Sequence, residues 1–388
     1  MTFLLNDKDN IMLRVKRLKW IYFYFLPIVI IFISCNNEKS LHYQSKDKTH
    51  YGIELFDSLK FIYNDSVFIG NIGTIYKWNN FIFIQDYINT SIRIFDKNLS
   101  YLFSVGGRGE GPGEYSTPPV IIENNDTNRI YMLEVNKKRL YEYNSKLNYL
   151  TEYKLPSDFY YSYYPAIKIK DNFIFSVAYP FPENKDMYFD IYKGLVCLED
   201  NFKLKSNFLE WDSIYFDRDF DAFTKNNFSV NLALTNKNYF FAQEQASFII
   251  HKFDSNLDLV KSFGKLPKYF QYPPGEISFE QTQQSLESFY KFQASSSSFR
   301  DIDYDDDMKR IFICYNQSTK ESLFKKDNLL ALHYLQIYDN NFDCIFDEKI
   351  PGKFLFAEKG NLYILHKQEE KFVKIMVYRL KDIANEKH

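Results

Sequence analysis

The chain has no surplus of positive charge. Lys and Arg number 48 against 50 Asp and Glu, a formal net charge of −2. Without residues 1–34 the balance is 43 basic to 48 acidic side chains. A surface that neutralises phosphates needs a basic excess, so nucleic acid is not an expected partner. Cysteine is scarce too. Cys35, Cys197, Cys314 and Cys344 are too widely spaced for a disulfide framework or a zinc pattern. The six histidines, His42, His50, His251, His333, His366 and His388, include no pair at metal-ligand spacing. No nucleophile elbow stands in the sequence. The uncharged apolar run Trp20 to Ile33 has 14 residues, short of the roughly 20 that a spanning helix needs.

Aromatic residues, by contrast, are abundant. They make up 19% of the chain, with 32 Tyr and 39 Phe, inside an ordinary 45% hydrophobic content. Aromatics favour strands, and Tyr suits a half-wet sheet surface. A chain of this composition can bury a large core.

Before the apolar run stand Arg14, Lys16, Arg17 and Lys19; after it come Ser34 and Cys35. A basic stretch, a short apolar stretch and a small residue at the break describe a signal peptide over residues 1–34. The Ser34-Cys35 junction resembles the lipobox of bacterial lipoproteins, with Phe32 where that family usually has Leu. The resemblance implies lipidation at Cys35 and membrane attachment through that lipid. The residues before Met12 form an overhang, so the expected start is Met12. Residues 35–50 then read as a tether.

From residue 51 one pattern recurs. A polar turn is followed by an apolar-aromatic strand at Asn79–Ile84, Asn128–Met132, Asp171–Phe175, Asn238–Phe241, Lys309–Ile313 and Gly360–Ile364. A second turn follows a third strand, reading aromatic, Asp or Asn, two polar residues, then Leu or Phe. Its copies begin at Phe95, Tyr143, Phe253 and Tyr338, with a weaker one at Leu198. The second strands start 49, 43, 66, 72 and 51 residues apart, and a four-stranded blade needs about 40–50. The long steps hold insertions within Pro180–Asp190, Ser206–Phe228 and Tyr269–Phe299. The sixth copy runs out near Arg379 after three strands, and Ile53–Tyr63 is expected to supply its fourth, removing an exposed edge. The expected fold is therefore all-β: a six-bladed β-propeller of four-stranded antiparallel blades over residues 51–385, closed by an N-terminal strand.

The segment Val105-Gly106-Gly107-Arg108-Gly109-Glu110-Gly111-Pro112-Gly113-Glu114-Tyr115 resembles the six-bladed β-propeller lipoproteins of Bacteroidetes, relatives of the NHL and TolB-type propellers. The resemblance covers most of residues 50–385. It implies fold and export more than activity, because propellers host many functions.

Several motifs invite chemistry. The Gly-rich stretch fails both phosphate-loop templates, since Pro112 stands where the third glycine or the lysine belongs; it reads as an inter-blade connection needing unusual backbone angles. Asp301, Asp303, Asp305, Asp306 and Asp307 suggest a calcium loop, but lack the Gly and Glu of that template. They align with the turn at Asn124-Asn125-Asp126 and read as a solvated hairpin. No metal site or cofactor is assigned; calcium is the ion kept open. The Phe159–Tyr164 run and the Arg108–Tyr115 loop should emerge on one face, which makes Arg108, Glu110, Glu114, Tyr115, Tyr161, Tyr163 and Tyr164 the candidate binding residues. Ser278–Gln293 reads as a short helix and Ser295–Ser298 as a flexible spacer. The expected function is a lipid-anchored cell-envelope binding module for a protein or small ligand, carbohydrate among them. The alternative is a metal-dependent, lactonase-like hydrolase, which should hold carboxylates around the central channel.

Overall fold

A computed structural model describes residues 42–62, 69–70, 72–96, 100–109, 111, 113–163, 165–178, 193–217, 227–273, 281–282, 284–325, 327–369 and 372–382. The leader 1–34, Cys35, Glu110, Tyr164 and the Pro180–Asp190 insertion lie outside the described residues.

The second strands show why this sequence makes blades. In Arg129–Glu134, Ile130 and Met132 point one way, into a cluster with Phe83, Ile92, Tyr115 and Tyr143. Tyr131 and Leu133 point the other way, into a cluster with Ile167, Phe173 and Phe175. Side chains alternate across a strand, so a run that is apolar at every position must be covered on both faces. Phe81–Asp86 repeats the logic. Phe83 faces the second blade, while Ile82 and Ile84 face a cluster with Leu355, Leu365, Val373 and Ile375 from the sixth. The apolar core therefore lies between blades, spread around the ring.

Six meanders result. Blade 1 is Ile72–Trp78, Phe81–Asp86, Ser91–Asp96 and Tyr101–Gly106; blade 2 is Val120–Asn124, Arg129–Glu134, Arg139–Asn144 and Tyr149–Lys154. Blade 3 is Ala166–Ile169, Asn172–Ala178, Leu195–Glu199 and Leu204–Phe208; blade 4 is Val230–Leu234, Tyr239–Glu244, Ile250–Asp254 and Leu259–Gly264. Blade 5 is Ser297–Asp305, Arg310–Gln317, Leu332–Tyr338 and Cys344–Ile350. Blade 6 takes Lys353–Glu358, Asn361–Glu369 and Phe372–Asp382 from the C-terminal end, and its outer strand, Tyr51–Ile62, from the N-terminal end. That strand pairs antiparallel with Phe372–Asp382 from Tyr51↔Asp382 to Ile62↔Phe372, so the expected closure is present.

Three expectations change. Blades 2 and 3 are joined: their inner strands pair in parallel, Ala166↔Ile122 through Lys168↔Asn124. Inner strands all run the same way along the axis, so neighbours meeting edge to edge can pair only in parallel. Ser297 and Ser298 are buried in the inner strand of blade 5; the backbone N–H of Ser297 donates to Gln271 O at 2.8 Å. The serines are thus compact core residues rather than a spacer. The last part of the tether is docked, not free. Ser45 Oγ accepts from Gly264 N, and the backbones of Lys46 and Lys48 bond Cys344 on the outer strand of blade 5. Lys48 also pairs with Asp343 at 2.6 Å. The helix expected over Ser278–Gln293 runs from Leu286 to Ala294, its start set by Ser285, whose side chain accepts from Ser288 N.

Candidate ligand-binding site in the axial channel

The six inner strands surround an axial space that is continuous through two cavities. The lower, of about 380 Å³, opens among the turns joining first and second strands. The upper, of about 480 Å³, opens on the side where blade-to-blade connections emerge. Thr74, Ile75, Tyr163, Asp301 and Leu355 line both.

The lower cavity is acidic. Asp301, Asp303 and Asp305 alternate along the inner strand of blade 5, and Glu123 enters from blade 2. This corrects the reading of the Asp cluster as a solvated hairpin: Asp306 and Asp307 sit on the turn, but the other three belong to the channel wall. Their acceptors hold the ring together. Asp303 Oδ2 accepts from Ala357 N at 2.6 Å and Asp305 Oδ2 from Gly360 N at 2.7 Å, both in blade 6. Glu123 Oε2 accepts from Leu234 N of blade 4 at 3.1 Å. Asp305 Oδ1 also accepts from Asp307 N, as Asn124 Oδ1 does from Asp126 N, so the sequence alignment of these turns holds. Burial raises Glu123 to about 8, helped by the charge of Asp303. Burial, then Asp303, raises Asp301 to about 7, against the pull of Lys353. Burial raises Asp303 to about 6 despite its bonds from Ala357 N and Tyr304 N. Across the ring closure, Lys77 of blade 1 meets Glu358 of blade 6 at 2.5 Å. Among the described residues no group of three His, Cys, Asp or Glu is placed to hold a metal ion.

The upper cavity has the opposite balance. Arg300 and Lys353 enter it with Asp301, beside His333, Asn316 and the tyrosines Tyr87 and Tyr163. A β-bulge positions Arg300. Phe299 pairs with Tyr315 and Asp301 with Cys314, leaving Arg300 as the extra residue, and such bulges re-aim a side chain. Asn316 Oδ1 accepts from its Nε at 3.0 Å. Lys353 Nζ donates to Gly73 O of blade 1 at 2.8 Å. His333 is buried and bonds Asn328 O through Nε2 at 2.8 Å. Burial, with the charges of Lys353 and Arg300 adding to it, pushes its ring down to about 4. It is therefore neutral near pH 7.

The expected binding residues separate into three groups. Tyr115 and Tyr161 are core residues, 0% and 4% exposed, and are not presented to a ligand. Tyr115 packs edge-on to Tyr141, and its hydroxyl shares a 2.6 Å bond with Tyr143. Tyr161 packs edge-on against Phe175 and donates to Pro156 O. Their neighbouring strands need an apolar cover, and the connections supply it. Glu114 is folded into its own loop, where its carboxylate accepts from Gly111 N at 2.8 Å. The glycines fit this closed loop: a Cβ on Gly106, at φ +84°, would meet the Tyr115 ring at 2.4 Å. Arg108 is exposed and forms a backbone bridge to Tyr115 on the same loop. Tyr163, 44% exposed, reaches the axial cavities and donates to Asn136. Sequence reasoning missed Arg300, Lys353 and Tyr87. Arg300 and Lys353 stand 53 positions apart and converge only when blades 5 and 6 close the ring.

A family model described as a 6-bladed beta-propeller, DUF5128, matches residues 34–350. The chain belongs to the DUF5128 family. That match takes in the outer strand of the last blade, 51–62, and stops before its other three strands, which the DUF5128 chain supplies from residues 353–382. A DUF4221-family protein from Bacteroides vulgatus shares the fold with a TM-score of 0.66 and 12% identity, covering 87% of this chain and all of that one. A Bacteroides fragilis protein named as exported gives 0.59 and 15%, covering 88% and all of it. No curated protein sequence matches this DUF5128 member.

Proposed function

We propose that the protein is a lipid-anchored binding module of the cell envelope, and that the upper axial cavity takes a small polyhydroxylated ligand of sugar size. The observation that carries this reading is the cavity wall. Two tyrosines that are each 44% exposed, Tyr87 and Tyr163, stand over convergent polar groups in a space of about 480 Å³. Flat aromatic faces suit the C–H face of a sugar ring, and mixed donors and acceptors suit its hydroxyls. Envelope location is supported by the basic and apolar leader before Cys35 and by the fold shared with a protein named as exported. Among the described residues no helix is long and apolar enough to cross a membrane, and the proposed anchor is the lipid on Cys35.

The test is calorimetric titration of the detergent-solubilised full chain with neutral mono- and disaccharides. Saturable heat that disappears in Tyr163→Ala, with unchanged thermal stability, supports the reading; no heat with any sugar overturns it. Cys35→Ser should release the protein from the membrane fraction and abolish labelling by a fatty-acid probe.

A second reading, metal-dependent hydrolysis, is favoured by one observation: Glu123, Asp301 and Asp303 do converge on the channel. Glu123 and Asp303, however, accept backbone N–H groups of blades 4 and 6, and Asp301 accepts from Ile302 N of its own strand, which is a structural use. A calcium titration that raises the melting temperature, and fails to do so in Asp303→Asn, would favour the hydrolase.

A further inference from the structure

We infer that His333 and Asn316 read a vicinal diol in the upper axial cavity: one hydroxyl donates to His333 Nδ1, and its neighbour accepts from Asn316 Nδ2. This rests on the sugar-binding reading above and assigns the two residues that set its specificity.

His333 is an acceptor with a fixed tautomer. A backbone carbonyl only accepts, so the 2.8 Å contact of His333 Nε2 with Asn328 O places a ring proton on Nε2. Burial keeps the ring neutral near pH 7, and Nδ1 then carries a lone pair and no proton. The ring is 3% exposed and lines the upper cavity. Among the described residues no group bonds Nδ1, and Nδ1 is not sealed from that cavity. A ligand that displaces solvent from such an acceptor must bring a donor of its own. A hydroxyl has the proton to give; an ionised carboxylate does not.

Asn316 supplies the complementary group. Its Oδ1 accepts from Arg300 Nε at 3.0 Å. A guanidinium only donates, so the amide is oriented with its oxygen toward Arg300, and Nδ2 remains to donate. Nδ2 has no partner among the described residues. Asn316 and His333 are directly opposed on the second and third strands of blade 5. Opposed residues project from one face of a sheet with Cβ atoms about 4.5–5.5 Å apart. An acceptor and a donor at that spacing suit two oxygens on adjacent carbons, one giving a proton and the other receiving one. Tyr163 lines the same cavity and offers its face to the ring that bears them.

The experiment is calorimetric titration of the detergent-solubilised full chain at pH 7.5 with glucose, galactose and mannose, then with the monodeoxy series of the tightest binder. Loss of the hydroxyl at each of two adjacent ring positions should weaken binding about tenfold. Asn316→Ala should erase the penalty at one of these positions, and His333→Phe the penalty at the other. Both variants are judged by differences between sugars, so a general loss of affinity does not imitate the result. Nitrogen NMR of the unaltered protein gives an answer that needs no variant: the His333 Nδ1 resonance should move with the parent sugar and stay in place with one of the two deoxy sugars. Released positions that are not adjacent, variants that release none, or an Nδ1 resonance indifferent to the parent sugar overturn this inference and leave the sugar-binding reading standing. Absence of binding by all three parent sugars overturns both.

Discussion

At the scale of single residues, the turn between third and fourth strands shows how a short motif sets local geometry. Asn144 Oδ1 accepts from Lys146 N and Asn148 N; Asp254 Oδ1 accepts from Asn256 N and Asp258 N; Asp339 Oδ1 accepts from Asn341 N and Asp343 N. The fifth residue of each turn then takes positive φ: 62° at Leu147, 75° at Leu257 and 66° at Phe342. A branched or aromatic residue is strained there, and the burial of its side chain offsets the strain; Leu147 is 5% exposed and Phe342 packs on Phe263. Losing two side-chain acceptor bonds at about 0.5–1.5 kcal/mol each, Asp254→Ala should cost about 1–3 kcal/mol in urea unfolding; an unchanged midpoint would contradict this role. Tyr115 offers a sharper contrast with Tyr163. Tyr115→Ala should cost about 3–5 kcal/mol, as core aromatics do, whereas Tyr163→Ala should leave the unfolding midpoint nearly unchanged.

At the scale of strands, the acid at the end of a second strand is a recurring device. Asp86, Glu134 and Glu244 each close the second strand of their blade and are fully buried. Each binds the connection that enters its blade: Asp86 accepts from Gly70 N, Glu134 from Ser116 N and Oγ at 2.6 Å, and Glu244 from Asp212 N at 3.1 Å. Glu134 also accepts from the Tyr141 hydroxyl at 2.9 Å. Glu134→Leu should therefore cost about 3 kcal/mol by stranding these donors, read as a lowered denaturation midpoint. The strand ends that the three acids occupy were legible from the apolar runs before them, but the role of the acids was not. The meeting of Arg300 and Lys353 was not legible either, because periodicity along a chain carries no information about which inner strands face one another across the axis, nor about the bulge at Arg300. The Asp cluster was half legible. Its turn was recognised from the match to Asn124–Asp126, but the strand leading into it was too polar to look like the wall of a core.

That polar wall makes stability depend on pH. Glu123, Asp301 and Asp303 are raised to about 8, 7 and 6 in the folded protein, above the ordinary carboxyl range that they regain on unfolding. The folded state therefore holds more protons, and the stability these groups contribute is present below pH 4 and lost as pH rises through about 6–8. In Glu123→Gln the loss should be smaller. Its melting temperature should match the parent near pH 4.5 and exceed it near pH 8, where each kcal/mol corresponds to roughly 1–2 °C for a chain of this size. A constant difference across that range would show that Glu123 does not hold its proton.

For the whole molecule, stability rests on closing the ring. Clusters of apolar residues fill the spaces between successive blades, and the sixth is joined to the first by Lys77–Glu358 and by Lys353 to Gly73 O. Repeat number and closing strand were readable from the sequence because each copy repeats the same apolar run. The parallel union of blades 2 and 3 was not, since it depends on how closely two inner strands approach. Deleting residues 44–62 should expose the edge of Phe372–Asp382 and the Cys344 side of blade 5, giving a protein that aggregates in sedimentation experiments. A monodisperse deletion product would show that the outer strand is dispensable.

The pairing of Tyr51–Ile62 with Phe372–Asp382 also fixes an order of events in the cell. The outer strand of blade 6 leaves the ribosome early and finds its partner in a strand made about 310 residues later. The circle stays open throughout synthesis, and the growing chain keeps an unpaired end until its final segment is released. A polypeptide that cannot close its ring before this strand is made remains open and threadable for that whole interval.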